Sequence, residues 1–209
     1  MPGEGSPFPS PGAGPGGGEE SEPGALPGDR PLRVAVIGGG DAGPDALEAA
    51  RKAGELLARA GAVVISGGRG GVMEAASRGA VQAGGLTVGI LPGGDPEEAN
   101  PWIRIPLATG FGQGRNVLVV QAGEVVLAVG GGWGTLSEIA LGRKLGRDVG
   151  VLGPGPMREP VDLDLPCFTA AADAVEWALS RALARRAATE RAIGGLGEAP
   201  ATGPGESTG

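Results

Sequence analysis

Short runs of β-branched residues alternate along this chain with Ala-rich stretches whose apolar positions recur every three or four residues. Residues 34–37 form the first apolar run and read as a strand. Residues 44–60 read as a helix, with Leu47, Ala50, Gly54 and Leu57 at helical spacing. Pro44 fits the first helical position and Gly61 the stop. The same alternation predicts strands at 63–66, 86–91, 102–107, 124–129 and 149–152, and a short one at 167–168. Helices are expected at 72–83, near 113–122, after the 130–134 turn, and at 173–188.

Strands this continuous in Val, Ile and Leu are buried on both faces. Their alternation with helices predicts a Rossmann-like, doubly wound α/β domain. About six to seven mostly parallel strands are expected, with helices on both faces. Ligands of such sheets sit at the carboxyl ends of the strands. Three glycine turns follow strands, at 38–43, 67–71 and 130–134, so all three are expected on that one edge.

Composition sets the boundaries. Residues 1–30 hold 9 Gly, 7 Pro and one aromatic, Phe8, and residues 194–209 are similar in kind. Such segments bury too little apolar surface to offset ordering entropy, so both are expected to be disordered tails around a single domain at 31–193. Five acids and one Arg in 1–30, with Glu198 and Glu206 at the other end, carry most of the net charge of −7 and leave the core at −1. A near-neutral core argues against a nucleic-acid surface. With no His, triads and zinc sites built on His are excluded, and no metal site is expected. No apolar run approaches the roughly 18–20 residues of a membrane span, so no membrane partner and a cytoplasmic location are expected. Cys167, the single cysteine, is expected to be a buried structural thiol, Met73 to be core, and Trp102 and Trp177 to pack.

The glycine turns carry the chemistry. Gly38-Gly39-Gly40-Asp41-Ala42-Gly43 fits G-x-G-x-x-G. A nicotinamide dinucleotide would also want an acid at the end of the second strand, where this chain has Ser66 and then Gly67-Gly68-Arg69. Gly38, Gly39 and Gly40 are therefore read as a close-packed turn touching ligand phosphate or ribose. Gly68, Gly70 and Gly71 form a second glycine loop, with Arg69 either in reach of an anion or solvated on the loop. Gly131, Gly132, Trp133, Gly134 and Thr135 lead into a helix, whose bare amides and dipole suit a phosphate. Trp133 is expected to wall the pocket or stack on a flat ring. Thr135-Leu136-Ser137-Glu138 also fits a capping box, in which Thr135 caps the helix. Glu138, one turn in, lies near whatever is held.

Gly130-Gly131-Gly132-Trp133-Gly134-Thr135-Leu136-Ser137-Glu138 resembles the PGGxGTxxE signature of the LOG family, whose members cleave the base–ribose bond of nucleoside 5′-monophosphates. The loop Gly67-Gly68-Arg69-Gly70-Gly71 resembles the family's second glycine loop, which closes over the nucleotide. An Arg lies 15 residues before the family's motif, as Arg115 lies 15 before Gly130, so the resemblance makes Arg115 and Glu138 the catalytic pair. It implies hydrolysis of a nucleoside monophosphate to base and ribose 5-phosphate, with no cofactor required and a homodimer or larger homo-oligomer. In that chemistry Glu138 would offset positive charge on the sugar, orient its hydroxyls or position water, while Arg115 anchors phosphate or ribose. The chain departs from the pattern in three places. Gly130 replaces the Pro, Asn116 replaces the Lys after the Arg, and the loop before Arg115 lacks Met-His-Glu. The Gly-Gly-Gly-Trp-Gly-Thr form resembles the branch grouped with molybdenum cofactor carriers. That branch implies a non-catalytic carrier with the phosphorylated pterin as cargo, and a nucleotide sensor is a further alternative.

Overall fold

The computed structural model describes residues 30–153 and 164–194. The tails expected at 1–30 and 194–209 lie outside these residues, apart from Arg30 and Gly194. Met1–Arg30 and Pro31–Gly209 are separate units, and the second holds all the elements below.

The alternating pattern folds as strand β1 (Arg33–Gly38), helix α1 (Pro44–Arg59), β2 (Val63–Ser66), α2 (Val72–Gln82), β3 (Thr87–Leu91) and β4 (Ile105–Ala108). It continues through α3 (Asn116–Ala122), β5 (Val125–Val129), α4 (Trp133–Lys144), β6 (Asp148–Leu152), β7 (Cys167–Phe168) and α5 (Ala171–Gly194). Among the described residues the strands form one seven-stranded sheet in the order β4-β3-β2-β1-β5-β6-β7. Every neighbouring pair is parallel. This is the doubly wound α/β architecture that the strand–helix alternation predicts.

Strand residues point alternately to opposite faces. Val34, Val36, Val64, Val125, Leu127 and Val129 therefore pack on one side with Ala50, Leu57, Ala76, Ala80 and Ala178 of α1, α2 and α5. Ala35, Ile37, Ile65, Val126, Ala128 and Val149 pack on the other with Val119, Val120 and Ile139 of α3 and α4. Small residues set the contact between α1 and α2. A Cβ on Gly54 would strike the Ala76 carbonyl, and one on Gly79 the Arg51 carbonyl.

The second unit is closed at the foot of the sheet by a charge cluster. Buried Glu124 accepts from the Arg33 amide at 2.8 Å and from Arg186 Nε at 3.0 Å, while Arg186 Nη2 also donates to the Pro31 carbonyl at 3.0 Å. The cluster ties the start of β1 and the turn before β5 to α5. Glu124→Ala leaves a largely buried guanidinium without its carboxylate, which costs about 3–5 kcal/mol. A fall in Tm of roughly 10 °C is expected by calorimetry. A fall of no more than a degree or two would show that α5 is held by its apolar face alone.

Three expectations are corrected at this level. Residues 102–104 do not join β4. The Thr87 hydroxyl instead donates to the Trp102 carbonyl at 2.6 Å and accepts from the Arg104 amide at 2.9 Å, taking backbone groups a ladder would need. Cys167 is exposed, on a two-residue strand at the sheet edge. Met73 is half-buried and faces a cavity rather than the core. Trp177 packs as expected, its ring 5.5 Å from that of Phe168.

Candidate functional site

The chain winds outward from β1 in both directions, through β2, β3 and β4 on one side and β5, β6 and β7 on the other. The connections leaving β1 and β5 therefore run to opposite faces, and a crevice opens between them at their carboxyl ends. Gly38 at the end of β1 is in register with Val129 at the end of β5. A cavity of about 370 Å³ lies there, with Gly38, Gly39 and Gly40 on one wall and Gly132, Gly134, Thr135 and Glu138 on another. Arg69, Met73, Pro92, Gln113, Arg115 and Asn116 complete it.

The second glycine loop supports this cavity more than it lines it. Gly71 has φ +69°, and a Cβ on it would strike the Gly39 and Gly40 carbonyls. The Val72 amide donates to the Gly39 carbonyl at 3.1 Å, so the start of α2 fixes the first glycine turn. Gly68, at φ +72°, packs on Leu91 and Gly89. Gly70 lines an adjoining depression. This loop presents Arg69 and, at the second residue of α2, Met73 to the cavity, while Gly68, Gly70 and Gly71 stay outside its lining.

The third turn uses Gly130 at φ +53° and Gly131 at φ +110° to enter α4. The helix begins at Trp133 behind Gly132, and no side chain caps it. The capping box is thus corrected. Thr135 lies inside the first turn, buried, and a Cβ on Gly131 would collide with its side chain. The Leu136 amide makes the first helical bond, to the Gly132 carbonyl at 2.9 Å. The amides of Trp133, Gly134 and Thr135 have no partner within the helix, which is the general condition for holding an anion there. Gly131 is not part of the cavity lining, and neither is Trp133, which is 76% exposed.

Arg115 ends the 3₁₀ turn Gly112–Arg115, and Glu138 lies in the second turn of α4. Their side chains are only 8% and 10% exposed, with Arg115 Nη1 3.9 Å from Glu138 Oε1. That is beyond hydrogen-bond length. Arg115 Nε and the Asn116 side-chain oxygen are buried and have no partner. Burial pushes the Glu138 carboxyl up to about 7, against the pull of the Arg115 guanidinium. Burial lowers the pKa of Arg115, Glu138 opposes this, and the charge on Arg69 adds to it. The site therefore combines a confined cation with spare donor capacity, a carboxyl near its titration point, and an uncapped helix start. Such a site can bind an anion and offers a proton acceptor beside it.

Gly67 has a role that its place in the second glycine turn did not reveal. A Cβ there would lie 2.5 Å from Arg115 Nη2 and 2.7 Å from Met73 Sδ, so its bare backbone makes room for the guanidinium. Its place directly after the second strand was the available signal. Gln113 and Pro92 also line the cavity. Neither carried a motif of its own.

Residues 31–178 match the SLOG cluster4 family, which is related to LOG, and the chain belongs to it. An uncharacterized protein of Archaeoglobus fulgidus is 43% identical over 123 residues, covering 59% of this chain and 81% of that protein. The molybdenum cofactor binding protein of Rippkaea orientalis is 35% identical, with a TM-score of 0.69, over 73% of this chain and 98% of that one. The molybdenum cofactor carrier protein of Chlamydomonas reinhardtii is 34% identical, with a TM-score of 0.65, over 74% of this chain and 99% of that one.

Proposed function

We propose that this SLOG cluster4 chain binds molybdenum cofactor as cargo in the cavity at the carboxyl ends of β1 and β5. The observation that carries the reading is the buried Arg115, its Nε unpartnered, lining the same cavity as the uncapped first turn of α4. A buried cation beside free helix amides is suited to a phosphate group, and the cofactor's pterin bears one. The cargo itself is suggested by two solved structures matched over nearly their whole length, one of a binding protein and one of a carrier for this cofactor.

Hydrolysis of a nucleoside 5′-monophosphate is the second reading, and Glu138 is the observation that favours it. Its buried carboxyl stands across from Arg115. With phosphate on the α4 turn and Arg115, a carboxylate there would offset the positive charge that develops on ribose as the base departs. Water adds to the sugar carbon, the bond to the base nitrogen breaks, and the nitrogen takes a proton.

Purification from a host that makes molybdenum cofactor distinguishes the two. Molybdenum and pterin are expected to copurify in equal amounts, read by mass spectrometry of the metal and by pterin fluorescence. Gly132→Val should abolish both at an unchanged Tm, because a Cβ there meets nothing within 4 Å and would instead fill ligand space. Protein that carries neither, yet frees base from a nucleoside monophosphate on chromatography, would replace the carrier reading with the hydrolase.

A further inference from the structure

Arg69 takes no part in the core, yet it lines the same cavity as Arg115. Its backbone is pinned: the Asn100 side-chain amide donates to the Arg69 carbonyl at 2.9 Å, and the Asn100 amide to the Gly68 carbonyl at 2.9 Å. The guanidinium is held differently. Arg69 Nη1 donates to Glu98 Oε2 at 2.6 Å, and the two side chains are 49% and 40% exposed. Such an exposed pair is weak and easily exchanged. Glu98 belongs to the 3₁₀ turn Pro96–Glu98, which borders the adjoining depression lined by Arg69, Gly70 and Asn100. Arg69 thus stands between the two hollows, with a fixed backbone and a side chain that can turn from one to the other.

Charge gives the arrangement a direction. The cavity is faced by Arg69, Arg115 and the first amides of α4, against one carboxyl, Glu138. A single phosphate satisfies Arg115 and the helix start. A second guanidinium remains, and among the described residues it is occupied by a carboxylate on the protein's own surface.

We propose that Arg69 is a specificity-determining residue that takes a second anionic group of the ligand, releasing Glu98 as it does so. The inference rests on the anion-binding reading of the cavity and adds the ligand class: molecules with two anionic groups rather than one. Glu98 acts as the internal competitor, so ligands whose sole anionic group is one phosphate leave the Arg69–Glu98 pair closed.

Titration calorimetry with inorganic phosphate and pyrophosphate tests this on the full chain. Wild type should bind pyrophosphate about tenfold or more tighter than phosphate. Arg69→Met should erase that preference while phosphate affinity stays within about threefold. Glu98→Gln should tighten pyrophosphate several-fold, and this gain should vanish in the Arg69→Met background. A preference that survives Arg69→Met, a wild type that binds the two anions equally, or a Glu98→Gln gain that persists without Arg69 would overturn the inference alone. A wild type that binds neither anion would overturn the anion-binding reading and the inference with it.

Discussion

Arg115→Met should weaken binding of phosphate and of any phosphate-bearing ligand by roughly a hundredfold. The lost interaction is a hydrogen bond between charged groups in a confined site, worth about 2–3 kcal/mol. Stability should move the other way or not at all. Arg115 is nearly fully buried, its Nε lacks a partner, and its closest carboxylate is 3.9 Å off. Methionine keeps much of the length and removes the desolvated charge. Titration calorimetry and thermal melts at pH 6 separate the two effects. Unaltered affinity in a folded variant would move the anion off Arg115. Lost affinity with a collapse of Tm would make the residue structural.

Glu138→Gln should change how stability depends on pH. Burial pushes the folded carboxyl up to about 7, above its ordinary value of 4.5. The folded state therefore binds more protons than the unfolded state between these values, and stability falls as pH rises through that window. Below about 4.5 both states are protonated and the group contributes no difference. Above about 7 the folded protein carries the full cost of a buried carboxylate, on the order of 3 kcal/mol. Glutamine resembles the protonated acid and carries no such cost. The variant should match wild type near pH 4.5 and exceed it at pH 8 by several degrees in Tm. Parallel profiles would show that Glu138 is not held in a charge-excluding environment. If the chain is a hydrolase, the same substitution should also cost on the order of a hundredfold or more in turnover. The two outcomes together describe a residue that lowers the stability of the free protein at neutral pH and serves the bound state.

Much of the fold was legible in local periodicity. Apolar runs such as 34–37 and 125–129 are too continuous for one-sided sheets, and Ala-rich helices between them leave a parallel, two-faced sheet as the consistent solution. Glycine turns directly after strands placed 38–43 and 130–134 at one edge, and the cavity lies there. The resemblance to the LOG family also brought Arg115 and Glu138 forward as a pair, although they are 23 residues apart. The structure sets them 3.9 Å apart.

Other features needed the third dimension. Two positive-φ glycines decide where α4 starts, and so move Thr135 from cap to buried wall. Sequence spacing alone fits both placements. Cys167 is apolar in context yet exposed, because exposure depends on the strand's place at the sheet edge. Met73 turns toward the cavity, since α2 starts beneath the first glycine turn. The role of Gly67 depends on a guanidinium arriving from 48 residues away. By itself, then, the sequence determined the layers, their order of appearance and the edge that carries the glycine turns, because these follow from local spacing and burial. Only the tertiary structure decided which turns line the cavity, which cation is buried with an unpartnered Nε, and how far a carboxyl is removed from water. Those properties belong to the distances between segments that the chain brings together.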